Sequence, residues 1–417
     1  MSLRIAILGA GPTGLEAALA ASERGFPFTL YERSPAVAGN VRDWGHVRLF
    51  SPWALDVSPR ARQALAGAGR EVPDSESVCP TGSELIERVL APLAELPAIA
   101  ANLETATTVL GIGRQGLLKS DEIGTGGRAG RPFRLLLAGP DGEERVEVAD
   151  VVIDCTGTWG HPNTLGDGGI PAPGEPALEA AGRVVRRIPD LAREPAEWAG
   201  RTTLLVGAGH SAQTAAGDLA ALAETEPGTR VIWALRSPTP PWDVDPEDPL
   251  PARAALGRRA RALAAGASPA VAMRFGVVVE SLRTLKPEGR LLVRLRDRES
   301  GDTEDLVVDR VLSLTGSVGN AGLYRQLQVH ECYATSGLMN LSAALLGDAA
   351  GDCLSQQAHG IETLASPEPD FFVLGSKSYG RNSNFLMRVG WQQVDEVFGY
   401  LAVSPAGARA GPRPGRP

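Results

Sequence analysis

Two glycine-rich turns carry the clearest chemical signal in the sequence. The first reads Gly9-Ala-Gly11-Pro12-Thr13-Gly14, and the second, 198 residues later, reads Gly207-Ala-Gly209-His210-Ser211-Ala212. Glycines at this spacing let the backbone turn tightly and approach a pyrophosphate, whose charge the amides of a following helix can bind. Both turns therefore predict phosphate-binding sites for nucleotide cofactors.

The charged residue that ends the next strand in each half distinguishes two kinds of nucleotide. Glu32 lies 18 residues after Gly14, where a carboxylate can accept hydrogen bonds from a ribose diol, and Arg33 follows it. The corresponding residue in the second half is Arg236, whose guanidinium can pair with the 2′-phosphate of NADP. We therefore expect an adenine dinucleotide without that phosphate at the first turn, and NADPH rather than NADH at the second. The alternative for Arg236 is a solvated position at a strand end.

Short apolar strands and small-residue helices must hold these turns in place. Residues 3–8 and 26–31 have the apolar pattern of buried strands, and residues 15–22 between them have the spacing of one helix face. The second half repeats this order, with strands over residues 202–206 and 230–235 and a helix face formed by Ala212, Ala215, Ala216 and Leu219. The pattern predicts an α/β fold with two strand–turn–helix–strand units.

With both units in one chain, residues 1–403 resemble the flavoproteins that have two dinucleotide-binding domains. The first half ends in a strand and the turn Thr156-Gly157, and the second ends in Thr315-Gly316, similar to the turns by which that family leaves each domain. The resemblance implies two Rossmann-like, three-layer ββα domains, with the NADPH domain inserted into the FAD domain. It also implies FAD at the first glycine turn.

The resemblance and these turns together give the domain boundaries. Residues 1–165 are expected to form the first part of the FAD domain, residues 166–311 the NAD(P)H domain with its linker, and residues 312–403 the second part of the FAD domain. Residues 404–417 lack apolar periodicity, so we expect a disordered tail there.

A C-terminal strand, turn and helix are expected to complete the FAD site. The strand pattern ends at Gly375, and a glycine- and serine-rich turn that includes Ser376 and Asn384 leads into an amphipathic helix. In the family, the backbone of this unit and the N-terminus of its helix lie against the flavin, and the helix dipole favours negative charge on the reduced flavin. These three residues are therefore candidate FAD contacts.

The resemblance places the segment over residues 44–53 beside the flavin as well. It contains Trp44, which can wall a pocket, and His46, whose imidazole can hydrogen-bond the ring or relay a proton. His46 is the candidate catalytic residue. A structural role is an equal alternative for this histidine.

The cysteines bear on the electron acceptor. Cys79, Cys155, Cys332 and Cys353 form no CxxC or CxxxxC pair, which disfavours the branch of the family that reduces a dithiol. The general plan is most similar to the class B flavin monooxygenases. Of their linker motif FxGxxxHxxx(F/Y), this sequence keeps only the glycine, Gly182. This departure favours a relative nearer the N-hydroxylating branch. This resemblance implies FAD, NADPH, dioxygen and a small-molecule substrate. The alternatives are a reductase or oxidase without a dithiol, and a non-catalytic flavoprotein that senses NADPH.

Composition excludes other classes of function. The chain has 417 residues, 43% of them hydrophobic and 22% charged, which is a globular composition of two or three domains. A net charge of −8 argues against nucleic acid as a partner. The few, scattered cysteines fit a cytoplasmic protein. The apolar runs are too short for a signal peptide or a membrane span. The spacing of the histidines does not indicate a metal site. A homodimer is left open.

Overall fold

The computed structural model describes residues 3–242, 248–286, 289–347 and 358–403. The chain forms two compact units: unit 1 comprises Met1–His161 and Val318–Pro417, and unit 2 comprises Pro162–Ser317. Unit 2 therefore interrupts unit 1, which confirms the predicted insertion of one Rossmann-like domain into the other.

The junctions between the units differ slightly from the predicted boundaries. They lie at residues 161/162 and 317/318, four residues before and six residues after the boundaries at 165/166 and 311/312. The chain that enters unit 2 pairs with the chain that leaves it, because Pro162 and Ser317 form an antiparallel bridge and the Asn163 amide donates to Gly316 O at 2.9 Å. The predicted tail, residues 404–417, lies outside the described residues.

The strands belong to parallel sheets or to antiparallel meanders. In chain order they are β1 (Ile5–Leu8), β2 (Phe28–Tyr31), β3 (Leu103–Glu104), β4 (Thr108–Arg114), β5 (Phe133–Ala138), β6 (Glu144–Ala149), β7 (Val151–Asp154), β8 (Val184–Val185), β9 (Thr202–Val206), β10 (Arg230–Ala234), β11 (Val271–Arg274), β12 (Val277–Thr284), β13 (Leu291–Asp297), β14 (Thr303–Val308), β15 (Arg310–Ser313) and β16 (Phe371–Val373). The strand predicted over residues 202–206 is β9, with the same bounds.

The helices connect these strands and cover the sheets. They are α1 (Pro12–Glu23), α2 (Gly39–Arg42), α3 (Trp53–Asp56), α4 (Pro59–Gly67), α5 (Gly82–Leu85), α6 (Ala91–Ala94), α7 (Pro97–Ala100), α8 (Glu175–Ala180), α9 (His210–Thr225), α10 (Pro251–Ala264), α11 (Met339–Gly347), α12 (Ile361–Leu364) and α13 (Met387–Val403). A π turn over Ile86–Leu90 joins α5 to α6, and 3₁₀ turns lie at Asp167–Gly169, Pro195–Glu197, Ala321–Tyr324 and Gly375–Tyr379.

In unit 1, a parallel sheet brings three turns to one edge. Its strand order is β16-β7-β1-β2-β3, and β4, β5 and β6 form a separate antiparallel sheet. Leu8 at the end of β1 and Val373 at the end of β16 both lie opposite Asp154 at the end of β7. Because parallel strands end at the same edge, the segments that follow these three residues converge there. The fully buried pattern of β1, β7 and β16 explains their apolar sequences.

Unit 2 repeats this design with its own core. The parallel sheet has the order β11-β10-β9-β15-β8, and β12, β13 and β14 form the antiparallel meander. Val206 at the end of β9 lies opposite both Ala234 and Ser313. The segments that begin at residues 207, 235 and 314 therefore share one edge. Together the two units confirm the predicted α/β class with two Rossmann-like domains.

Candidate functional site

The first glycine turn has the shape that a pyrophosphate requires. Gly9 has a φ of +93°, and a Cβ at this position would lie 2.8 Å from Cys155 O. A Cβ at Gly14 would overlap the carbonyl oxygen of Gly9, so only glycine lets α1 pack this closely. At Gly11, the residue that precedes α1, a Cβ would meet no atom within 4 Å. The space beside Gly11 at the start of α1 is therefore open. Pro12 has no N–H, so the amides of Thr13 and Gly14 are the first of the helix that could bind a phosphate there.

Glu32 is fixed beside this turn. Its side chain is buried, and its oxygens accept hydrogen bonds from the amides of Ala10 and Ser34, both at 2.9 Å. Each carboxylate oxygen can accept a second hydrogen bond, so ribose hydroxyls can still bind. The adjacent Arg33 is exposed and donates to Asn40 Oδ1 at 2.8 Å. The carboxylate and the glycine turn thus form one site, as the nucleotide prediction requires.

The C-terminal turn meets the start of α1 at close range. Gly375 has a φ of +75°, and a Cβ there would lie 2.9 Å from Thr13 Oγ1. A Cβ at Gly390, in α13, would lie 3.0 Å from the same oxygen. The next residue of the C-terminal turn is close to the turn after β7, since a Cβ at Gly157 would lie 3.8 Å from Ser376 Oγ. The structure therefore brings together four residues that the sequence predicted as FAD contacts: Thr13, Gly157, Gly375 and Ser376.

A buried ion pair lies between these turns. Lys377 Nζ donates to Asp154 Oδ2 at 2.6 Å, and the exposed fraction of either side chain is at most 1%. Asp154 Oδ1 accepts from the amide and the hydroxyl of Thr156, at 3.0 and 2.6 Å. Lys377 Nζ also donates to Thr156 Oγ1 at 3.1 Å and to Asn320 O at 3.0 Å. The pair thus fixes the Thr156-Gly157 turn to the turn after β16.

An aromatic ring and a second carboxylate extend this cluster. Lys377 Nζ lies 4.9 Å from the centroid of the Tyr324 ring, a cation–π distance, and Tyr324 Oη donates to Glu331 Oε1 at 2.6 Å. Burial and then this hydrogen bond raise the pKa of Tyr324. Burial, followed by the charges of Lys377 and Arg33, lowers the pKa of His161. These shifts favour the neutral forms of Tyr324 and His161.

The segment over residues 44–53 is only partly buried. A Cβ at Gly82 would lie 2.9 Å from the ring of Trp44, so the indole packs on the start of α5. His46 is exposed, as is Asn384 on the C-terminal turn. Next to this segment, Asp56 is buried and accepts from Ser51 Oγ at 2.6 Å, while its Oδ2 has no hydrogen-bond partner among the described residues. Burial raises the pKa of Asp56 to about 7.

In unit 2, two tryptophans orient the second glycine turn. Trp233 Nε1 donates to Gly207 O at 2.8 Å and Trp242 Nε1 donates to Ala208 O at 2.7 Å, with the rings stacked at 4.7 Å. The N–H and C=O of one peptide unit point in opposite directions. The amides of Ala208 and Gly209 therefore point away from the indoles. Gly207 itself has a φ of +133°, and a Cβ there would overlap Leu314 O.

The start of α9 is open beyond this turn. A Cβ at Gly209 would meet no atom within 4 Å, and His210 and Ser211 are exposed in the first turn of the helix, whereas Ala212 is buried against the sheet. This arrangement fits a second pyrophosphate. Arg236 is exposed at the same edge of the sheet.

The predicted turn at Thr315-Gly316 has a structural partner within unit 2. Thr315 Oγ1 donates to Asn163 O at 2.8 Å, and Asn163 Nδ2 donates to Thr315 O at 3.0 Å. The turn therefore ties the end of unit 2 to its beginning.

The comparisons with known proteins agree with this geometry. Residues 7–65 match the family model of the NAD(P)-binding Rossmann-like domain, which covers the first glycine turn and Glu32. No curated protein sequence matches the chain. Solved structures do: bacillithiol disulfide reductase from Bacillus cereus superposes with a TM-score of 0.66 at 16% identity, covering 96% of this chain and 99% of that one. The chain has the two-domain flavoprotein fold.

Two monooxygenases share this flavoprotein fold. The desferrioxamine-pathway cadaverine monooxygenase from Erwinia amylovora, solved with FAD, has a TM-score of 0.64 at 14% identity, covering 98% of this chain and 96% of its own. Ornithine hydroxylase from Pseudomonas aeruginosa has a TM-score of 0.63 at 18% identity, with 96% and 99% covered. Identities this low establish the fold, which confirms the resemblance.

Sequence reasoning missed the ion pair between Lys377 and Asp154. Asp154 ends the apolar strand β7, and Lys377 is one of only three lysines in the chain, so an isolated charge beside a buried pattern was the available signal. Among the described residues, no group of three His, Cys, Asp or Glu side chains is arranged to hold a metal ion. No helix in the described ranges is both long and apolar enough to cross a membrane.

Proposed function

We propose that this chain is an FAD-dependent NAD(P)H oxidoreductase that binds FAD in unit 1 and NADPH in unit 2. The observation that carries the proposal is the pair of glycine turns, each followed by a helix whose start is open beside the glycine that precedes it. The buried Glu32 beside the first turn favours an unmodified ribose, and the exposed Arg236 beside the second favours a 2′-phosphate.

Each part of unit 1 has a role in holding FAD. The amides at the start of α1 would bind the pyrophosphate, and Glu32 would accept hydrogen bonds from the adenosine ribose. Thr156, Gly157, Gly375 and Ser376 would line the flavin side of the site, where Lys377 and Asp154 keep the two turns in register. When bound, FAD would supply hydride transfer from NADPH and electron transfer to the acceptor.

We propose dioxygen as the acceptor, for oxygenation of a small molecule. The cysteines support this choice over a dithiol. Cys155 is buried directly behind the first glycine turn, and burial raises the pKa of its thiol well above the usual range, which disfavours the thiolate needed for exchange chemistry. Cys79 and Cys332 are free thiols that belong to no CxxC or CxxxxC motif. His46, exposed on the segment over residues 44–53, remains the candidate proton relay.

The test is anaerobic reduction of the FAD-loaded protein. NADPH should bleach the flavin spectrum in a single turnover, and faster than NADH at the same concentration. The variant Cys155→Ala should reduce at the wild-type rate, because this thiol takes no part in electron transfer. Failure of both nucleotides to reduce the flavin would contradict the proposal and favour a sensor role. Loss of reduction in Cys155→Ala, with FAD still bound, would favour a thiol-dependent reductase.

A further inference from the structure

Two arginines from different elements meet at the carboxyl end of β10. Arg236 lies two residues beyond the last residue of β10, and Arg298 directly follows β13 of the meander. Arg298 Nη1 donates to Arg236 O at 3.1 Å. Both residues are exposed. The meander of unit 2 therefore supplies a second cation to the edge at which the nucleotide-binding turn lies.

Backbone hydrogen bonds fix this meeting point. The Gly276 amide donates to Ser237 O, and the Arg298 amide donates to Gly276 O, both at 2.9 Å. The Val277 amide donates to Leu235 O at 3.1 Å. Three chain segments thus lie side by side, so the position of Arg298 is set by the backbone and not by one flexible side chain.

These two residues differ from four other arginines of unit 2. Arg274, Arg290, Arg294 and Arg296 each form an ion pair with an aspartate or glutamate, at 2.7 to 3.2 Å. Among the residues that the structure describes, neither Arg236 nor Arg298 has a carboxylate within ion-pair distance. Asp167 feels the charge of Arg298, but its main partner is Arg296, which lowers its pKa by a hydrogen bond. Two exposed arginines that are held side by side through the backbone of one of them, and that have no such counterion, favour an anionic ligand.

We propose that Arg236, Ser237 and Arg298 form a phosphomonoester subsite that binds the 2′-phosphate of NADPH, with Arg298 as its specificity-determining residue. This inference rests on the proposed function and names the residues that select its nucleotide. A phosphate offers three acceptor oxygens, enough for two guanidinium groups to donate to it together. NAD lacks that phosphate, so it gains nothing from either arginine.

Calorimetric titration of the FAD-loaded full chain with NADP⁺ and NAD⁺ tests the subsite without turnover. Arg298→Ala should weaken NADP⁺ binding about tenfold, the loss of one charge-assisted contact, and leave NAD⁺ binding within twofold of wild type. Arg298→Lys should recover part of the loss. The matched control is Arg294→Ala, on the strand β13 that Arg298 directly follows; Arg294 pairs with Asp305, and its loss should change neither affinity. In the double variant Arg236→Ala/Arg298→Ala, the affinities for NADP⁺ and NAD⁺ should converge.

Four results would overturn the subsite. NADP⁺ affinity that is unchanged in Arg298→Ala would remove Arg298 from it, and equal losses for NADP⁺ and NAD⁺ would show a general effect on the domain. Equal affinities of the wild-type protein for both nucleotides would refute phosphate selection while leaving an NADH-dependent oxidoreductase intact. A wild-type protein that binds neither nucleotide would contradict the proposed function as well.

Discussion

Replacement of Lys377 by Met should destabilise the protein by about 3–5 kcal/mol, the usual cost of leaving a buried charge without its partner. Asp154 is fully buried and Lys377 almost so, and Met retains most of the apolar stem of the lysine. The variant loses three hydrogen bonds from Nζ and leaves one oxygen of Asp154 without its donor. At about 2–4 °C per kcal/mol for domains of this size, the thermal midpoint should fall by roughly 6–20 °C.

The double variant Asp154→Asn/Lys377→Met separates the charge effect from packing. Because it removes both charges, it should be more stable than Lys377→Met alone. Lys119→Met serves as the control, since Lys119 is exposed and its loss should cost less than about 0.5 kcal/mol. Thermal and urea unfolding of the FAD-loaded chain give these values. A Lys377→Met variant as stable as Lys119→Met, or a double variant less stable than the single one, would refute the reasoning.

Two further predictions concern Asp56 and the tryptophan pair. Burial raises the pKa of Asp56 from 3.8 to about 7, so the stability it contributes is full below about pH 3.8 and is lost as pH rises through 7. Asp56→Asn should therefore reduce the fall in thermal midpoint between about pH 4 and 7, and an unchanged slope would count against this assignment. Trp242→Phe keeps a stacked ring but removes the hydrogen-bond donor to Ala208 O. Calorimetry should therefore show NADP⁺ binding about three- to tenfold weaker, with the affinity for FAD unchanged. An NADP⁺ affinity equal to that of the wild type would show that the indole does not orient the turn for binding.

Local sequence pattern was enough to predict the scaffold. The run Thr202–Val206 is apolar and β-branched, and it forms β9 with the predicted bounds because both its faces are buried. Thr81 and Glu84 have the spacing of a capping box in the sequence and form one in the structure, with hydrogen bonds of 3.1 and 2.7 Å. The apolar residues between 83 and 95 have helical spacing in the sequence, but a π turn at Ile86–Leu90 interrupts the helix there. Periodicity detects a helical face but not this change of winding.

Contacts between distant residues could not be predicted from the pattern. Lys377 and Asp154 are 223 residues apart, and they meet only because β16 and β7 are neighbours in the sheet. Arg298 and Arg236 are separated by 62 residues and by the turn of the meander. The sequence marks each of these as a charge at the end of a strand. Only the strand order determines which charges become partners.

The reaction of the reduced flavin with dioxygen tests the proposed function most directly. The FAD-loaded protein is reduced with one equivalent of NADPH without oxygen and then mixed with aerated buffer, while the flavin spectrum and the released hydrogen peroxide are followed. An oxygenating site predicts that reoxidation is slower than for free reduced FAD and that peroxide release lags behind oxygen uptake. Immediate reoxidation with one hydrogen peroxide per NADPH would contradict the monooxygenase and favour a simple oxidase.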